Sequence, residues 1–422
     1  MELIMKNIGF AKLGKSVKFR KNKYSPIGGD NEASCTIRAL ANSNPDKTFY
    51  LLGRSDYAQL NEKEKYEIFP YDNVIDIWGG EKLRPGKYDD SYYRWIINYL
   101  AENDVKLDTT IMMMGQVGTV TIPNKIKKVN DDDGKPASVI DMTKGYATPL
   151  AVWLNEQKPH YVEIVNDPRY VMNQSRDMFH MPTISLGQYD YTYKSNTIVS
   201  YEDQTRTIRE VPSVYAGMET AFCLDYEYPT EVNTDRKTDF MVVLNEGKPS
   251  RYKMLKEWIL DHNDDVEIYG KWSEVVDGDD RFKGSLHIEE LQKKLQDVKF
   301  TFIIPIKKGW VTSKYIEMVH AGVIPFLHPT YDEQHHLNIP GFLRPKTPQE
   351  LAERVKLLSD NPEKYKTVLE GIRAAVLKPE YYDGSFLNQK IMSAVDPDYV
   401  SPDLTQFTVK EEPMLGLESF FG

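Results

Sequence analysis

The strongest constraint on the fold is a regular alternation of short apolar strands and longer helices in the second half of the chain. The pattern predicts strands at 240–244, 266–269, 300–306 and 323–327. It predicts helices at 251–260, 288–296, 312–321, 349–358 and 362–376. Strands that alternate with helices favour a parallel sheet with helices on its faces. We therefore predict a Rossmann-like domain over residues 236–379.

The first half of the chain shows the same alternation less regularly. An opening strand at 1–10 is followed by a glycine-containing loop, a helix at 31–41 and a strand at 48–52. Further strands are predicted at 73–78, 110–115 and 161–165, and a helix at 91–103. The segment 191–236 is polar and irregular, so we place a domain boundary near residue 235. Residues 1–235 are thus a second predicted Rossmann-like domain, and the fold class is α/β.

Composition excludes several classes of protein. Of the 422 residues, 41% are hydrophobic and 27% are charged, which is typical of a globular protein and not of a disordered or collagen-like chain. No apolar run approaches the ~20 residues that span a bilayer, so we expect no membrane partner. Cys35 and Cys223 are far apart, which excludes a cysteine metal site and favours a reducing compartment. The first residues lack the layout of an export signal, so we expect a cytoplasmic location.

The charge is unevenly distributed along the chain. The net charge is −10, yet residues 1–23 contain seven basic residues against one acid. These basic residues are Lys6, Lys12, Lys15, Lys18, Arg20, Lys21 and Lys23. Two interpretations are open, a solvated loop or a surface that binds a polyanion.

One loop and the helix after it contain the most informative motif. Gly309 would let backbone amides approach a ligand, and Thr312 or Ser313 would cap a helix whose N-terminus favours phosphate. Lys314 lies in the first turn, where the helix dipole disfavours a cation unless an anion is near. Glu317, three residues further, shares its side of the helix and suits the two hydroxyls of a ribose. The alternative is an ordinary Lys–Glu surface pair.

This motif resembles the donor site of GT-B glycosyltransferases. In that family a helix carries a Glu, then a small residue and Gly, then an apolar strand with Pro, here Glu317, Ala321-Gly322 and the segment 323–326. The resemblance covers residues 236–395, and it extends to the first half of the chain only in outline. It implies two Rossmann-like domains facing across a central cleft, with a UDP-sugar donor on the second and its ribose at Glu317. It also implies that 380–396 is a final helix crossing back to the first domain.

The resemblance further implies basic residues that hold the donor's diphosphate. Here the candidates are Arg251 and Lys256, and an exposed basic helix start is the alternative. Trp272 would lie where the uracil packs, although a buried aromatic explains it equally well. Many retaining members carry a second Glu eight residues before the ribose Glu, and Gly309 stands there in this chain. The pattern is therefore more similar to phage DNA glucosyltransferases, which modify hydroxymethylated pyrimidines.

No resident metal and no tightly bound cofactor are predicted, and the need for a divalent metal stays open. The pair His335-His336 has no third ligand at suitable spacing. Asp332, which follows the last predicted strand, is a candidate for contact with sugar hydroxyls.

Sugar transfer needs a base that takes the proton of the acceptor hydroxyl. Asp167 follows a predicted strand and is the candidate, with Arg169 as a donor or acceptor contact. The alternative is that Asp167-Pro168 simply starts a turn. The basic loop after the first strand would then bind the acceptor, with DNA as the leading polyanion and its target base flipped or exposed. Its proposed acceptor contacts are Lys15, Lys18, Arg20 and Lys21.

The tail, residues 397–422, ends in an apolar motif. Leu417, Phe420 and Phe421 resemble the short peptides that bind DNA sliding clamps, because side chains at this spacing share one face of a helical turn. Met414 stands where that family usually has Gln, and a tail docked on its own protein is the alternative.

Together these features predict a glycosyltransferase that moves glucose, or a pentose such as arabinose, from a UDP-sugar to the hydroxymethyl group of a modified pyrimidine in phage DNA. Its expected location is the bacterial cytoplasm during phage infection. The alternatives are a GT-B transferase acting on surface polysaccharide, a GT-B-like epimerase, and a non-catalytic nucleotide-binding adaptor for a clamp.

Overall fold

The structure is a computed structural model. It describes residues 6–11, 19, 31–53, 55, 57, 60–63, 72–77, 91–113, 119–120, 126–130, 136–140, 146–147, 160–165, 183–185, 193–195, 209–211, 213–215, 223–224, 226–247, 249–273, 276, 278–305, 312–332 and 339–395. These residues form two compact units. The first contains the described residues up to 215 together with 384–395, and the second contains those from 223 to 383.

The first unit is built on a seven-stranded parallel sheet. Its strands, from edge to edge, are Ser213–Tyr215, Thr183–Ser185, His160–Val165, Thr109–Met113, Asn7–Ala11, Thr48–Leu51 and Val74–Asp76. The first strand in the chain, Asn7–Ala11, therefore lies between the second and the fourth. The strand order reverses beside it, as in a Rossmann-like sheet. This confirms the predicted architecture of the first half.

Three helices lie in the described part of the first unit. They are Asn31–Ser43, Ser91–Glu102 and Ser385–Val395. The last of these packs against the first. The buried side chain of Asn44 donates a hydrogen bond of 2.7 Å from Nδ2 to Oδ1 of Asn388, which anchors Ser385–Val395 at this contact.

Short antiparallel strand pairs also occur in the first unit. They are Thr119–Val120 with Tyr146–Ala147, Ile126–Asn130 with Pro136–Ile140, and Tyr193–Ser195 with Arg209–Val211. The sequence analysis anticipated none of them. The expectation of an irregular segment over 191–236 is wrong where this last pair and Ser213–Tyr215 lie. Three-residue strands are too short to display the alternation that identifies a strand.

The second unit is built on a five-stranded parallel sheet. Its strands, from edge to edge, are Phe282–Gly284, Glu267–Tyr269, Thr238–Val243, Val298–Ile303 and Ile324–Leu327. The first strand in the chain, Thr238–Val243, again lies between the second and the fourth. The predicted second Rossmann-like sheet is thereby confirmed, with the reversal of strand order beside Thr238–Val243.

Helices connect and follow these strands. They are Pro249–Leu255, continued by the π-helical turn Lys256–Leu260, and then Ile288–Leu295, Lys314–His320, the 3₁₀ turn Gly341–Leu343, Pro348–Ser359, Pro362–Val376 and Pro379–Tyr382. Four of them begin with Pro at the first position, where a missing N–H costs no helical hydrogen bond. The predicted helix at 251–260 is thus present, but its second half is wound more widely.

Aromatic packing fixes two helices on one face of the second sheet. Phe300 and Phe302 are two residues apart on the strand Val298–Ile303, so their side chains point to the same face. Trp258 stacks on Phe302 with ring centroids 5.2 Å apart, and Tyr365 meets Phe300 edge-on at 5.6 Å. The helices that carry Trp258 and Tyr365 therefore cover the same side of the sheet.

Gly322 ends the helix Lys314–His320 for a specific steric reason. Its φ is +76°, and a Cβ at this position would lie 2.3 Å from Nη2 of Arg236. Arg236 is buried and donates hydrogen bonds to four backbone carbonyls, those of Asn233, Leu295, Val298 and Ala321. The predicted stop at Gly322 is confirmed, and it also makes room for this arginine.

Candidate functional site

The candidate site lies at the carboxyl-terminal edge of the second sheet. In open parallel sheets, ligands bind outside the carboxyl ends of the strands where the strand order reverses. Here that point is between Thr238–Val243 and Val298–Ile303. The side chains at this edge come from the segments that follow each strand.

Arg251 occupies the point of reversal. One terminal nitrogen, Nη1, donates to the carbonyl of Asn245 at 2.7 Å, just after the first of these strands. The other, Nη2, donates to the carbonyl of Ile304 at 2.7 Å, just after the second. The guanidinium therefore bridges the ends of the two strands between which the order reverses.

The charge of Arg251 is not neutralised by a carboxylate within the described part of the chain. Burial lowers the pKa of its guanidinium to about 10, so it still carries its charge at neutral pH. No ion pair among the described residues includes it, and its buried Nε has no hydrogen-bond partner. A half-buried cation whose only described partners are carbonyl oxygens suits a bound anion, because an anion would offset its partial desolvation.

Two neighbouring loops are tied together beside Arg251. The backbone N–H of Lys271 donates to Oδ1 of Asn245 at 2.8 Å, and that of Glu246 donates to the carbonyl of Lys271 at 2.9 Å. Gly270 makes this approach possible. Its φ is +147°, and a Cβ there would lie 2.0 Å from the carbonyl oxygen of Leu244.

Trp272 extends from the second of these loops. Its ring packs edge-on against Phe282 with centroids 5.2 Å apart, and against Tyr252 at 6.3 Å. Its indole Nε1 is buried without a hydrogen-bond partner. The structure shows the aromatic packing that the second interpretation of Trp272 describes, while contact with a uracil stays a prediction.

Lys314 and Glu317 form the pair that the sequence places on one side of the helix. Nζ of Lys314 lies 2.8 Å from Oε2 of Glu317. Glu317 is only 8% exposed, so this is not the ordinary surface pair of the alternative interpretation. Its other oxygen, Oε1, makes no hydrogen bond within the described part of the chain and is not buried. That oxygen can accept a hydrogen bond from a ligand.

The predicted hydroxyl cap of this helix is wrong. The helix begins at Lys314, and Ser313 at the cap position makes no side-chain hydrogen bond to it. The backbone of Ser313 is already helical, with φ −57° and ψ −15°, whereas a capping residue needs an extended conformation. Thr312 is fixed instead by Tyr331, whose hydroxyl donates to its carbonyl at 2.8 Å and accepts from its N–H at 3.1 Å.

Lys256 is not brought to Arg251. It lies five residues further along the helix, about 7.5 Å along its axis, and its ammonium pairs with Asp261 just after the last helical residue. Both partners of this pair are about half exposed. A diphosphate contact of Lys256 has no support in this arrangement.

Asp332 does not face a ligand. It is fully buried with a left-handed φ of 47°, and its carboxylate accepts a hydrogen bond of 2.6 Å from Nη2 of Arg344. Arg344 also donates to the carbonyl of Tyr331 at 2.9 Å. The suggested contact of Asp332 with sugar hydroxyls is therefore wrong. Its carboxylate holds the loop after the last strand in place.

His328, which the sequence analysis missed, directly follows the last strand of the sheet. Its backbone N–H donates to the carbonyl of Ile303 at 3.0 Å. Nδ1 of its ring accepts from the N–H of Thr330 at 3.2 Å and lies 2.7 Å from the hydroxyl of that residue. Burial lowers the pKa of His328 to about 4, so the ring is neutral at physiological pH.

Residues 1–23, the basic segment, include Phe19, which is described in the first unit. Phe19 is fully buried and packs edge-on against Tyr57 with centroids 5.5 Å apart. Tyr57 follows the strand Thr48–Leu51, and Oγ of Ser55 donates to Asp76, the last residue of the neighbouring strand, at 2.8 Å. Phe19, which belongs to this segment, therefore lies near the carboxyl ends of these strands.

Several predicted site residues lie outside the described residues. They are Lys15, Lys18, Arg20, Lys21, Asp167, Arg169, Gly309, Leu417, Phe420 and Phe421, together with the pair His335-His336. Among the residues that are described, no cluster of three His, Cys, Asp or Glu side chains is arranged for a metal ion. None of the described helices has the length and apolar composition of a membrane span.

No protein-family model and no curated protein sequence matches this chain. Its fold, however, matches solved structures. The DNA modifying enzyme β-glucosyltransferase, solved with and without its substrate uridine diphosphoglucose, matches with a TM-score of 0.53 at 13% identity, covering 92% of this chain and 99% of that one. T4 phage BGT in complex with UDP and Mn²⁺ gives 0.52 at 13% identity with the same coverage. T4 phage β-glucosyltransferase in a study of substrate binding gives 0.51 at 12%, again with the same coverage.

These matches concern the fold, since the sequences are 12–13% identical. They cover most of the chain and agree with two parallel Rossmann-like sheets. The predicted GT-B fold, and the resemblance to phage DNA glucosyltransferases at the level of fold, are therefore confirmed.

Proposed function

We propose that this chain is a glycosyltransferase that moves a sugar, glucose or a pentose such as arabinose, from a UDP-sugar to the hydroxymethyl group of a modified pyrimidine in phage DNA. One observation carries the proposal. Arg251 is a half-buried cation without a carboxylate partner among the described residues, at the point of strand reversal in the second sheet of a GT-B fold. A diphosphate is the ligand that offsets such a charge, because Arg binds phosphate oxygens with two parallel hydrogen bonds.

The residues around Arg251 account for the rest of the donor. Oε1 of Glu317 is available to a ribose hydroxyl, while Lys314 holds Oε2 and keeps the carboxylate oriented. Trp272, on the adjacent loop, is the proposed neighbour of the uracil. Solved structures with this fold are described as complexes with UDP and as enzymes acting with uridine diphosphoglucose, which supports a UDP-sugar as the donor.

DNA as the acceptor rests on two further observations. A solved structure with this fold is described as a DNA modifying enzyme. The basic segment of this chain, with seven basic residues in an acidic protein, is attached through Phe19 near the carboxyl ends of strands in the first sheet. A polyanion would offset this local charge.

In the proposed reaction, the acceptor hydroxyl oxygen attacks C1 of the sugar and its proton passes to the carboxylate of Asp167. The bond between C1 and the phosphate oxygen breaks, and UDP leaves with the electron pair. Arg251 stabilises the negative charge that grows on this diphosphate. Arg169 and the basic residues Lys15, Lys18, Arg20 and Lys21 are the proposed acceptor contacts.

The test is release of UDP from a panel of UDP-sugars, with hydroxymethylcytosine DNA, with unmodified DNA and without DNA, each with and without Mn²⁺. Release that requires the modified DNA is expected and would identify the sugar. Release of UDP at the same rate with and without DNA would point to another acceptor, such as a surface polysaccharide. No release with any donor, despite UDP binding, would contradict an enzyme and favour a nucleotide-binding adaptor.

The C-terminal peptide is proposed as a contact with a phage sliding clamp during replication in the bacterial cytoplasm. Its motif is Leu417, Phe420 and Phe421. Changing both phenylalanines to Ala is expected to abolish co-migration with the clamp while UDP release stays intact. Unchanged co-migration would contradict this contact.

A further inference from the structure

The ring of His328 is held in one orientation at the candidate site. Trp258 meets it at 5.1 Å and Phe302 at 6.1 Å between ring centroids, both edge-on. Nδ1 is engaged with the N–H and the hydroxyl of Thr330. The side chain is 8% exposed, so little freedom is left to the ring.

These contacts determine which ring nitrogen carries the proton. Nδ1 accepts the backbone N–H of Thr330 and so is unprotonated. In a neutral imidazole the proton then lies on Nε2, which becomes a donor. The pKa of about 4 keeps the ring in this neutral form at physiological pH.

Nε2 is available to a ligand. It makes no hydrogen bond within the described part of the chain, and it is not among the buried unpaired atoms there. A neutral donor that is fixed in direction and not fully buried suits an uncharged or anionic oxygen acceptor equally.

His328 and Arg251 are both bonded to the chain at the end of the same strand, Val298–Ile303. Its backbone N–H bonds to the carbonyl of Ile303, and Nη2 of Arg251 bonds to the carbonyl of Ile304, the next residue. Consecutive Cα atoms are about 3.8 Å apart, so the two hydrogen bonds hold both residues at adjacent peptide units, at the edge of the sheet where the donor is proposed to bind.

We propose that His328 donates a hydrogen bond from Nε2 to an oxygen of the diphosphate–sugar portion of the donor held at Arg251. This inference rests on the proposed function. Phosphate oxygens and sugar hydroxyls offer the same acceptor chemistry. His328 is therefore a donor-binding residue in addition to those that the sequence indicated.

The test compares binding of UDP-glucose and UDP by calorimetry in three variants of the full chain. His328→Asn keeps an oxygen that can accept the N–H of Thr330 but removes the Nε2 donor. We expect it to bind UDP-glucose about fivefold more weakly, the size of one neutral hydrogen bond. His328→Gln places an amide N–H near the position of Nε2 and is expected to stay within about twofold of the parent. If His328→Asn weakens the binding of UDP as much as that of UDP-glucose, the acceptor of the hydrogen bond is a phosphate oxygen. If only the binding of UDP-glucose is weakened, the acceptor is an oxygen of the sugar.

His320→Asn is the matched control. His320 is half-buried and its pKa is likewise lowered to about 4, but it ends the helix and bonds to Tyr382. It should bind UDP-glucose as the parent does. Nitrogen-15 NMR should show the Nε2 signal of His328 moving on addition of UDP-glucose. If His328→Asn binds UDP-glucose as tightly as the parent, or if His320→Asn loses as much affinity as His328→Asn, the inference about His328 is overturned and the proposed function stands. If the parent protein does not bind UDP-glucose at all, the proposed function is overturned as well.

Discussion

Arg251 and Glu317 show how far single residues were predictable. The resemblance to GT-B glycosyltransferases indicated Arg251, and the spacing from Lys314 together with that resemblance indicated Glu317. The sequence could not separate Arg251 from Lys256, since only the structure shows that Lys256 pairs with Asp261. His328 was missed although a signal existed: it directly follows a predicted strand, where a parallel sheet meets its ligands.

Arg251→Gln and Lys256→Gln should therefore behave differently. The first removes a cation that faces the proposed diphosphate, and charged hydrogen bonds of this kind contribute about 1.5–3 kcal/mol. UDP affinity should fall by roughly 10- to 100-fold. The second removes a half-exposed surface pair and should leave UDP affinity within about twofold. Titration calorimetry, with thermal unfolding to verify the fold, measures both, and equal losses would contradict the assignment of Arg251.

At the scale of elements, strands and helices with strong periodicity were predicted within a few residues. The helix Pro362–Val376 has the predicted bounds, and Val298–Ile303 lies within three residues of its prediction. The π-helical turn Lys256–Leu260, which carries the buried Trp258, was not predicted, because the sequence pattern there is that of an ordinary α-helix. Of the antiparallel pairs in the first unit, those with strands of two or three residues were missed because such strands are too short to show a pattern.

Gly322 offers a test of an element boundary. In Gly322→Ala the new Cβ combines a left-handed backbone with a clash against buried Arg236, and unfolding should become easier by about 2–4 kcal/mol. Gly278→Ala is the matched control, since its φ is +84° but nothing lies within 4 Å of its Cβ position. That variant should lose only about 1–2 kcal/mol. Urea unfolding measures both, and similar losses would show that steric contact with Arg236 is unimportant.

The whole molecule combines two Rossmann-like sheets with an uneven charge. Both sheets could be predicted from the sequence because strands and helices alternate along the chain. The pairing of the outer strands could be learned only from the structure. Two histidines, one buried and one half-buried, make the stability depend on pH in a way that no sequence pattern indicates. The folded-state pKa values of His320 and His328 are about 4, below their ordinary value of 6.5.

Stability should therefore decline as the pH falls from 6.5 towards 4. In this window the unfolded chain binds protons at His320 and His328 while the folded chain does not, so protonation favours unfolding. Each histidine should cost about 1 kcal/mol between pH 7 and pH 5.5. Urea unfolding at the two pH values measures the loss, and His320→Asn should reduce it by about half. A loss of the same size in that variant would contradict the contribution of His320.

The uneven charge along the chain leads to a prediction about how DNA binding depends on salt. If DNA binds the basic segment, changing Lys15, Lys18 and Lys21 to Gln removes three phosphate contacts. The slope of log affinity against log salt should then flatten by about 2.7, at about 0.9 for each contact. Changing Lys356, Lys366 and Lys378 to Gln alters the net charge equally, but these residues lie on or beside helices of the second unit. Because the effect depends on local contacts and not on total charge, this second variant should retain the parental slope. Equal flattening in both would mean that DNA responds only to the overall charge of −10, and the basic segment would lose its role as the acceptor surface.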